Sequence, residues 1–182
     1  MPGNISQQVV AWARGKMGQK VGAGECWDLA DQALRASGAA SSTTTGPDDD
    51  YVWGDKVIPA GALPGDVVQF RDYVAKVKIT TDITFDDGSS SSGWTEEEIE
   101  RPHHTAIVES TGRAGLVVLE QNVDPGGKKV QRHTIAITPG TTTTTAPQTV
   151  RADDGKMKAA KVVTTVTVTT SGKIWVYRPK PK

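Results

Sequence analysis

Cys26 is the only cysteine among 182 residues, and it stands in the run Gly22-Ala-Gly-Glu-Cys-Trp-Asp-Leu-Ala-Asp31. The glycines mark a loop. From Cys26 onward Leu29, Ala30, Ala33 and Leu34 recur at helical spacing, with Gly38 where a helix would end. The thiol is therefore expected in the first turn of a helix, among unsatisfied backbone N–H groups and at the positive end of the helix dipole. Both favour the thiolate, which is the nucleophilic form. The competing reading is a small buried hydrophobe, the commoner fate of a free cysteine. Nucleophilic chemistry also needs an imidazole to take the thiol proton. The histidines are His103, His104 and His133. His104 opens the apolar strand Thr105-Ala-Ile-Val108, a rigid element suited to fixing an imidazole. A second strand, Gly115-Leu-Val-Val-Leu-Glu-Gln-Asn122, ends in Glu120 and Asn122. Pairing the two strands across a Thr111-Gly112 turn would bring His104 and Glu120 side by side, although residue parity fixes no face until the register is known. His103 lies one position off, and His133 has no companion in sequence, so both read as surface or strand-face residues.

The elements that must carry these side chains can be read in order. Asn4 or Ser6 caps a first helix running to about Met17, on which Val9, Ala13 and Met17 stack, and Gly18 ends it. Residues 38–50 are small, polar and breaker-rich, hence a surface loop, after which Tyr51-Val-Trp-Gly54 turns back to the body. From Leu63 the period changes to two. Asp66 follows Pro-Gly as a turn residue before a buried strand, and Tyr73, Ala75, Val77, Ile79, Thr81, Ile83 and Phe85 share one side of a long one. Residues 86–93 read as a loop tip. Further strands are expected at about 104–109, 115–121, 129–138, 161–170 and 173–178, with Gly126-Gly127 as a hairpin turn. Thr141 to Thr145 is low in complexity and reads as a solvated connection. Helices first and antiparallel strands after predict an α+β domain, with N-terminal helices packed on one side of an antiparallel sheet.

Composition narrows the function classes. Lys plus Arg and Asp plus Glu both number 21, and no block of like charge occurs, so nothing points to nucleic acid or an anionic membrane as partner. One cysteine allows no internal disulfide, and no Cys/His cluster has structural-zinc spacing. The start, Met-Pro-Gly-Asn-Ile-Ser, has neither the basic residues nor the apolar core of a signal peptide. No run approaches the roughly 18 apolar residues of a membrane span. The chain reads as soluble, with its compartment unspecified.

Five motifs taken together are similar to those of CHAP domains, the cysteine, histidine-dependent amidohydrolase/peptidases of the NlpC and papain-like superfamily. They are the helix-start Cys26, Pro64-Gly-Asp-Val-Val-Gln-Phe70, His104-Thr-Ala-Ile-Val108, Glu120-Gln-Asn122 and Ile174-Trp-Val-Tyr-Arg-Pro179. The resemblance runs from about residue 5 to 179. It implies Cys26 as nucleophile, His104 as base, Glu120 as the residue that orients the imidazole, and Asn122 as a further polar member of the site. No metal and no cofactor are implied. The expected fold is then a single papain-like, CHAP-like α+β domain over 1–182, and the expected reaction is amide hydrolysis in a peptide, foremost the peptidoglycan of a cell wall. A protein-directed peptidase or effector inside a cell and a non-catalytic binding module of a larger protein are the alternatives. Trp27 and Trp53 are the candidate substrate-binding residues, with Trp53 in its loop the better placed of the two.

Several features depart from that pattern. The stretches 72–101 and 139–170, rich in threonine and valine, look like two β-rich insertions that could meet a protein partner. Glu25 places a negative charge beside the nucleophile, where it would oppose thiolate formation if it points inward. No tyrosine precedes Cys26, although some relatives of the CHAP group carry an active-site hydroxyl there.

Overall fold

The computed structural model describes residues 4–44, 46, 48–124 and 126–182. The readings of Met1 to Gly3, and of Thr45 and Pro47 within the 38–50 loop, lie outside the described residues. The first helix, α1 (Ile5–Arg14), begins at Asn4, whose Oδ1 accepts from the Ser6 amide at 3.1 Å. Val9, Val10 and Ala13 make its buried face, and it stops at Gly15, before the expected end near Met17. The second, α2 (Cys26–Ala36), has Glu25 as its N-cap residue in a reciprocal capping box with Asp28. Leu29, Ala30, Ala33 and Leu34 are its buried stripe.

Among the described residues everything else regular is strand, apart from a 3-10 turn at Pro59–Gly61. The strands are β1 (Asp55–Val57), β2 (Val67–Phe85), β3 (Ser90–Gly112), β4 (Gly115–Glu120), β5 (Gln131–Ile135), β6 (Gly140–Arg151) and β7 (Met157–Arg178). Their order is β1-β7-β2-β3-β4-β5, with β6 also paired to β7. The helix-packed α+β expectation is therefore overturned: the described residues form a mostly antiparallel β-sheet protein carrying two short helices. The physical reason lies in stretches that read as irregular. Ser90 to Gly93, expected in a loop tip, open β3. Thr141 to Thr145, expected as a solvated connection, belong to β6, each paired antiparallel with a residue between Val163 and Thr167 of β7. Threonine is β-branched and fits a pleated surface, so a threonine run facing an alternating Val/Thr partner forms a ladder. The expected strands at 161–170 and 173–178 are one strand, β7.

The chain divides into two compact units. The first comprises 1–74, 100–137 and 171–182. Its core joins Val9 and Ala13 of α1, Leu29, Ala30, Ala33 and Leu34 of α2, and Val67, Ile107 and Leu119 of the sheet. Two buried carboxylates brace it. Glu109 of β3 accepts from Arg14 of α1 at 2.9 Å and also from Arg132 of β5. Asp66 takes the Leu63 amide at 2.8 Å, as a turn residue should, and Arg178 of β7 at 2.9 Å. The second unit comprises 75–99 and 138–170. There Phe85, Ala160 and Val162 are buried, and Lys158 pairs with Asp87 at 2.9 Å and Asp154 at 3.3 Å.

Candidate active site

Cys26 is the first residue of α2 and is half-buried. It lies near enough to the His104 ring to raise the pKa of the imidazole. The opposite side of the ring faces a carboxylate: Nε2 lies 2.9 Å from Glu120 Oε2, at ion-pair distance but bent away from the hydrogen-bond line. With Nε2 turned to Glu120, Nδ1 is the nitrogen left for sulfur. Burial by itself would push the imidazole pKa down. The proximity of Cys26 and of the Glu120 carboxylate outweighs it, and the net direction is up. His104 thus keeps a proton to higher pH than a free histidine.

The register of β3 on β4 explains the meeting. Ile107 stands opposite Leu119 and Gly112 opposite Gly115, so the turn is Arg113-Ala114, two residues beyond the expected Thr111-Gly112, and a bulge lies between Val108 and Ser110. Glu120 is wholly buried. Burial would raise its pKa, but the adjacent His104 and the bonds from His133 and Arg101 reverse that and hold the carboxyl well below the usual range. Arg101 of β3 contributes two parallel bonds, Nε to Oε2 at 2.9 Å and Nη2 to Oε1 at 2.5 Å. His133 of β5 approaches Oε1 through Nδ1 at 2.8 Å. On β4 and β5 Val118 faces His133 and Glu120 faces Gln131, which makes Glu120 and His133 diagonal neighbours on one face.

Asn122 is not brought to His104. Its backbone is left-handed, φ 64°, a conformation asparagine tolerates, and its Nδ2 donates to Glu25 Oε2 at 2.8 Å. Lys128 holds the other oxygen of Glu25 at 2.5 Å. The Glu25 charge is therefore occupied by these partners, with half of its side chain in solvent. The residue between, Gln121, is fully buried and grips the loop that leads into α2. Its amide donates to the carbonyls of Val21 and Glu25 at 3.0 and 2.7 Å and accepts from the Val21 amide at 3.1 Å.

Trp53 is 1% exposed and belongs to the core, so its covered ring offers no face to a substrate. Trp27, beside the thiol, is half-buried and packs on Trp53 with ring centroids 6.0 Å apart. Tyr51 packs on Trp53 at 5.8 Å and on His103 at 5.2 Å. Burial first, then the charges of Cys26 and Asp49, push the Tyr51 hydroxyl pKa up, which places that hydroxyl within electrostatic reach of the sulfur. His103 itself is tied to the Asp49 carbonyl at 2.7 Å.

Three residues of this cluster escaped the sequence reading: Arg101, His133 and Gln121. Arg101 had one available signal, a charged side chain three positions from His104 where an apolar strand begins. His133 becomes a partner of Glu120 only once the β4–β5 register is known. Among the described residues, no group of three or more His, Cys, Asp or Glu side chains is arranged to hold a metal ion. No helix among them is long and apolar enough to cross a membrane.

A family model described as the AIM3/BBC1 cysteine proteinase-fold domain matches residues 1–182. The chain is also similar to Altered inheritance of mitochondria protein 3 of Debaryomyces hansenii, at 33% identity over 135 residues. That alignment covers 66% of this chain but 13% of the relative, so the chain spans about an eighth of the protein it matches. No solved structure matches. What stands of the CHAP resemblance is its coarser part, a cysteine proteinase-like fold; the family matched is a different one.

Proposed function

From a chain that belongs to the AIM3/BBC1 cysteine proteinase-fold domain family, we propose a cysteine-dependent hydrolase of peptide amides that acts through Cys26, His104 and Glu120. One observation carries this reading: His104 stands between Cys26 at a helix start, which is near enough to raise the imidazole pKa, and a fully buried carboxylate 2.9 Å from its Nε2. His104 takes the thiol proton as sulfur attacks the carbonyl carbon, and returns it to the amine nitrogen as the C–N bond breaks. Water, deprotonated by the same ring, then attacks the thioester, and sulfur leaves to regain its proton. The Cys26 backbone N–H at the start of α2 is one donor for the oxyanion of each tetrahedral intermediate. Glu120 orients the ring; Asn122 instead fastens Glu25 and acts on the loop before α2.

The substrate class in this reading is a peptide or isopeptide amide within a protein. Peptidoglycan rested on the CHAP resemblance and has no independent support from the site. The segments 72–101 and 139–170 are read as insertions into one domain, available to a protein partner. A second reading, a non-catalytic module, is favoured by the small share of the matched relative that this chain spans.

Alkylation separates the two, because no other cysteine competes for label. At about pH 6 a free cysteine, with a pKa near 8.5, is almost wholly protonated and reacts slowly with iodoacetamide. The hydrolase reading expects Cys26 to react at least tenfold faster there, His104→Ala to remove the advantage, and Cys26→Ser to abolish cleavage of an unfolded protein substrate. A wild-type rate equal to that of free cysteine and unchanged by His104→Ala would leave the module.

A further inference from the structure

We propose that Arg101 and His133 are positioning residues that keep Glu120 ionised and aimed at His104 while His104 gains and loses its proton; the inference rests on the hydrolase reading above. Glu120 has no exposure to solvent, and a carboxylate there needs compensating charge and filled hydrogen-bond sites. His104 cannot supply that charge throughout a reaction cycle, because a base must spend part of the cycle neutral. Arg101 can: its guanidinium is always protonated. Its two parallel bonds also fix the plane of the carboxylate, so that Oε2 remains towards His104. His133 occupies a further direction on Oε1 at 2.8 Å and lies 29% exposed, between the buried carboxylate and solvent.

The chemical consequence concerns the tautomer of His104. An ionised Glu120 only accepts, and its charge 2.9 Å from Nε2 favours the proton on that nitrogen and leaves the Nδ1 lone pair for the thiol. A protonated Glu120 would donate to Nε2 instead. The remaining proton of a neutral ring would then sit on Nδ1, pointing at sulfur, and the ring could not act as base. Without Arg101, the buried carboxyl would hold its proton towards neutral pH, and the wrong tautomer would prevail there.

The test uses Arg101→Gln, which removes the charge, and Arg101→Lys, which keeps it and loses the fork, together with His133→Gln. Two readouts are followed from about pH 5 to pH 9: the iodoacetamide rate at Cys26 and the nitrogen-15 imidazole shifts of His104, which report its tautomer. Arg101→Gln is expected to slow alkylation about tenfold or more near pH 6, with recovery towards pH 9 as Glu120 ionises, a shift of one pH unit being tenfold. The His104 tautomer is expected to change over the same range. Arg101→Lys should keep the wild-type profile at a uniformly lower rate, and His133→Gln should shift it less than Arg101→Gln. On a Glu120→Gln background, adding Arg101→Gln should leave the profile unaltered, a comparison that holds even if the single variant folds poorly. A drop of equal factor at every pH, an unchanged tautomer, or the same Arg101 effect with Glu120 already neutral would each overturn the proposal. If the hydrolase reading itself fails, the signature differs: His104→Ala then leaves the wild-type alkylation rate where it was.

Discussion

Gln121 holds Glu25 across 96 residues of chain, its Nε2 donating to the Glu25 carbonyl at 2.7 Å. Glu25 is the residue immediately before the nucleophile candidate, so the end of β4 and the start of α2 are joined at the point where Cys26 must be aimed. Removing the amide should therefore harm stability and aim together. Gln121→Leu strands the Val21 amide and two carbonyls, and should cost about 1–3 kcal/mol in chemical denaturation. Cys26 alkylation should become less dependent on His104. Loss of stability with full His104 dependence would mean that the clamp serves the fold alone.

His104 ties stability to pH in a definite direction. Its folded pKa is raised above the roughly 6.5 of an unfolded histidine. Its contribution is therefore complete below about pH 6.5 and is lost as pH climbs through the raised folded value. Urea denaturation of wild type and His104→Gln should show the wild-type advantage shrinking between about pH 6 and pH 9. An equal gap at both ends would contradict the linkage.

Glu120 acts at the acid end with the opposite sign. Its pKa is lowered, so its contribution is present above the unfolded carboxylate value of about 4.3 and disappears as pH falls towards the folded one. Stabilities of wild type and Glu120→Gln should converge below about pH 4. At neutral pH, Arg101→Ala leaves that buried carboxylate without its fork and should cost about 3–5 kcal/mol. A thermal melt within a degree of wild type would show the pair to be dispensable.

Gly65 has φ +89°, and a Cβ there would lie 1.8 Å from the Ser6 carbonyl oxygen of α1. Gly88 has a similar φ, +85°, with nothing within 4 Å. Alanine at 88 should cost only the left-handed backbone, about 1–2 kcal/mol. Alanine at 65 should displace α1 and cost far more, to the point of failed expression. Equal melting temperatures for the two variants would refute the close approach.

The β6–β7 ladder pairs Gly140 with Val168 through to Arg151 with Met157. Amide exchange should accordingly be slow along 140–151 and 157–168 and fast at the 152–156 turn. Uniformly fast exchange would restore the solvated connection that the threonine run first suggested.

The contrast between legible and hidden features follows from what contrast the residues themselves provide. The helices announced themselves through Asn4, through the Val9 and Ala13 stripe, and through the Leu29 to Leu34 stripe behind Cys26. The order of Cys26, His104 and Glu120 could be read, and these three side chains meet. Thr141 to Thr145 could not be read as a strand, since five identical residues carry no alternation and only the partner strand reveals the period. Asn122 looked equivalent to Glu120 two positions away, yet its left-handed backbone sends the side chain to Glu25. Trp53 stood in a short segment after a polar loop, and only tertiary packing on Trp27 and Tyr51 decided that it was core. The pairing of Arg101 and His133 with Glu120 stayed hidden because an ion pair across strands is a property of register, which local sequence does not encode.

The Trp27–Trp53 contact also makes the site visible to light. Among five tryptophans, Trp27 is the chain neighbour of Cys26, and its ring lies 6.0 Å from that of Trp53. Indole emission is sensitive to groups attached to a neighbouring sulfur. The fluorescence of Trp27 is therefore expected to report modification at the adjoining Cys26, readable in real time without any substrate, and Trp27→Phe is the variant that removes that signal.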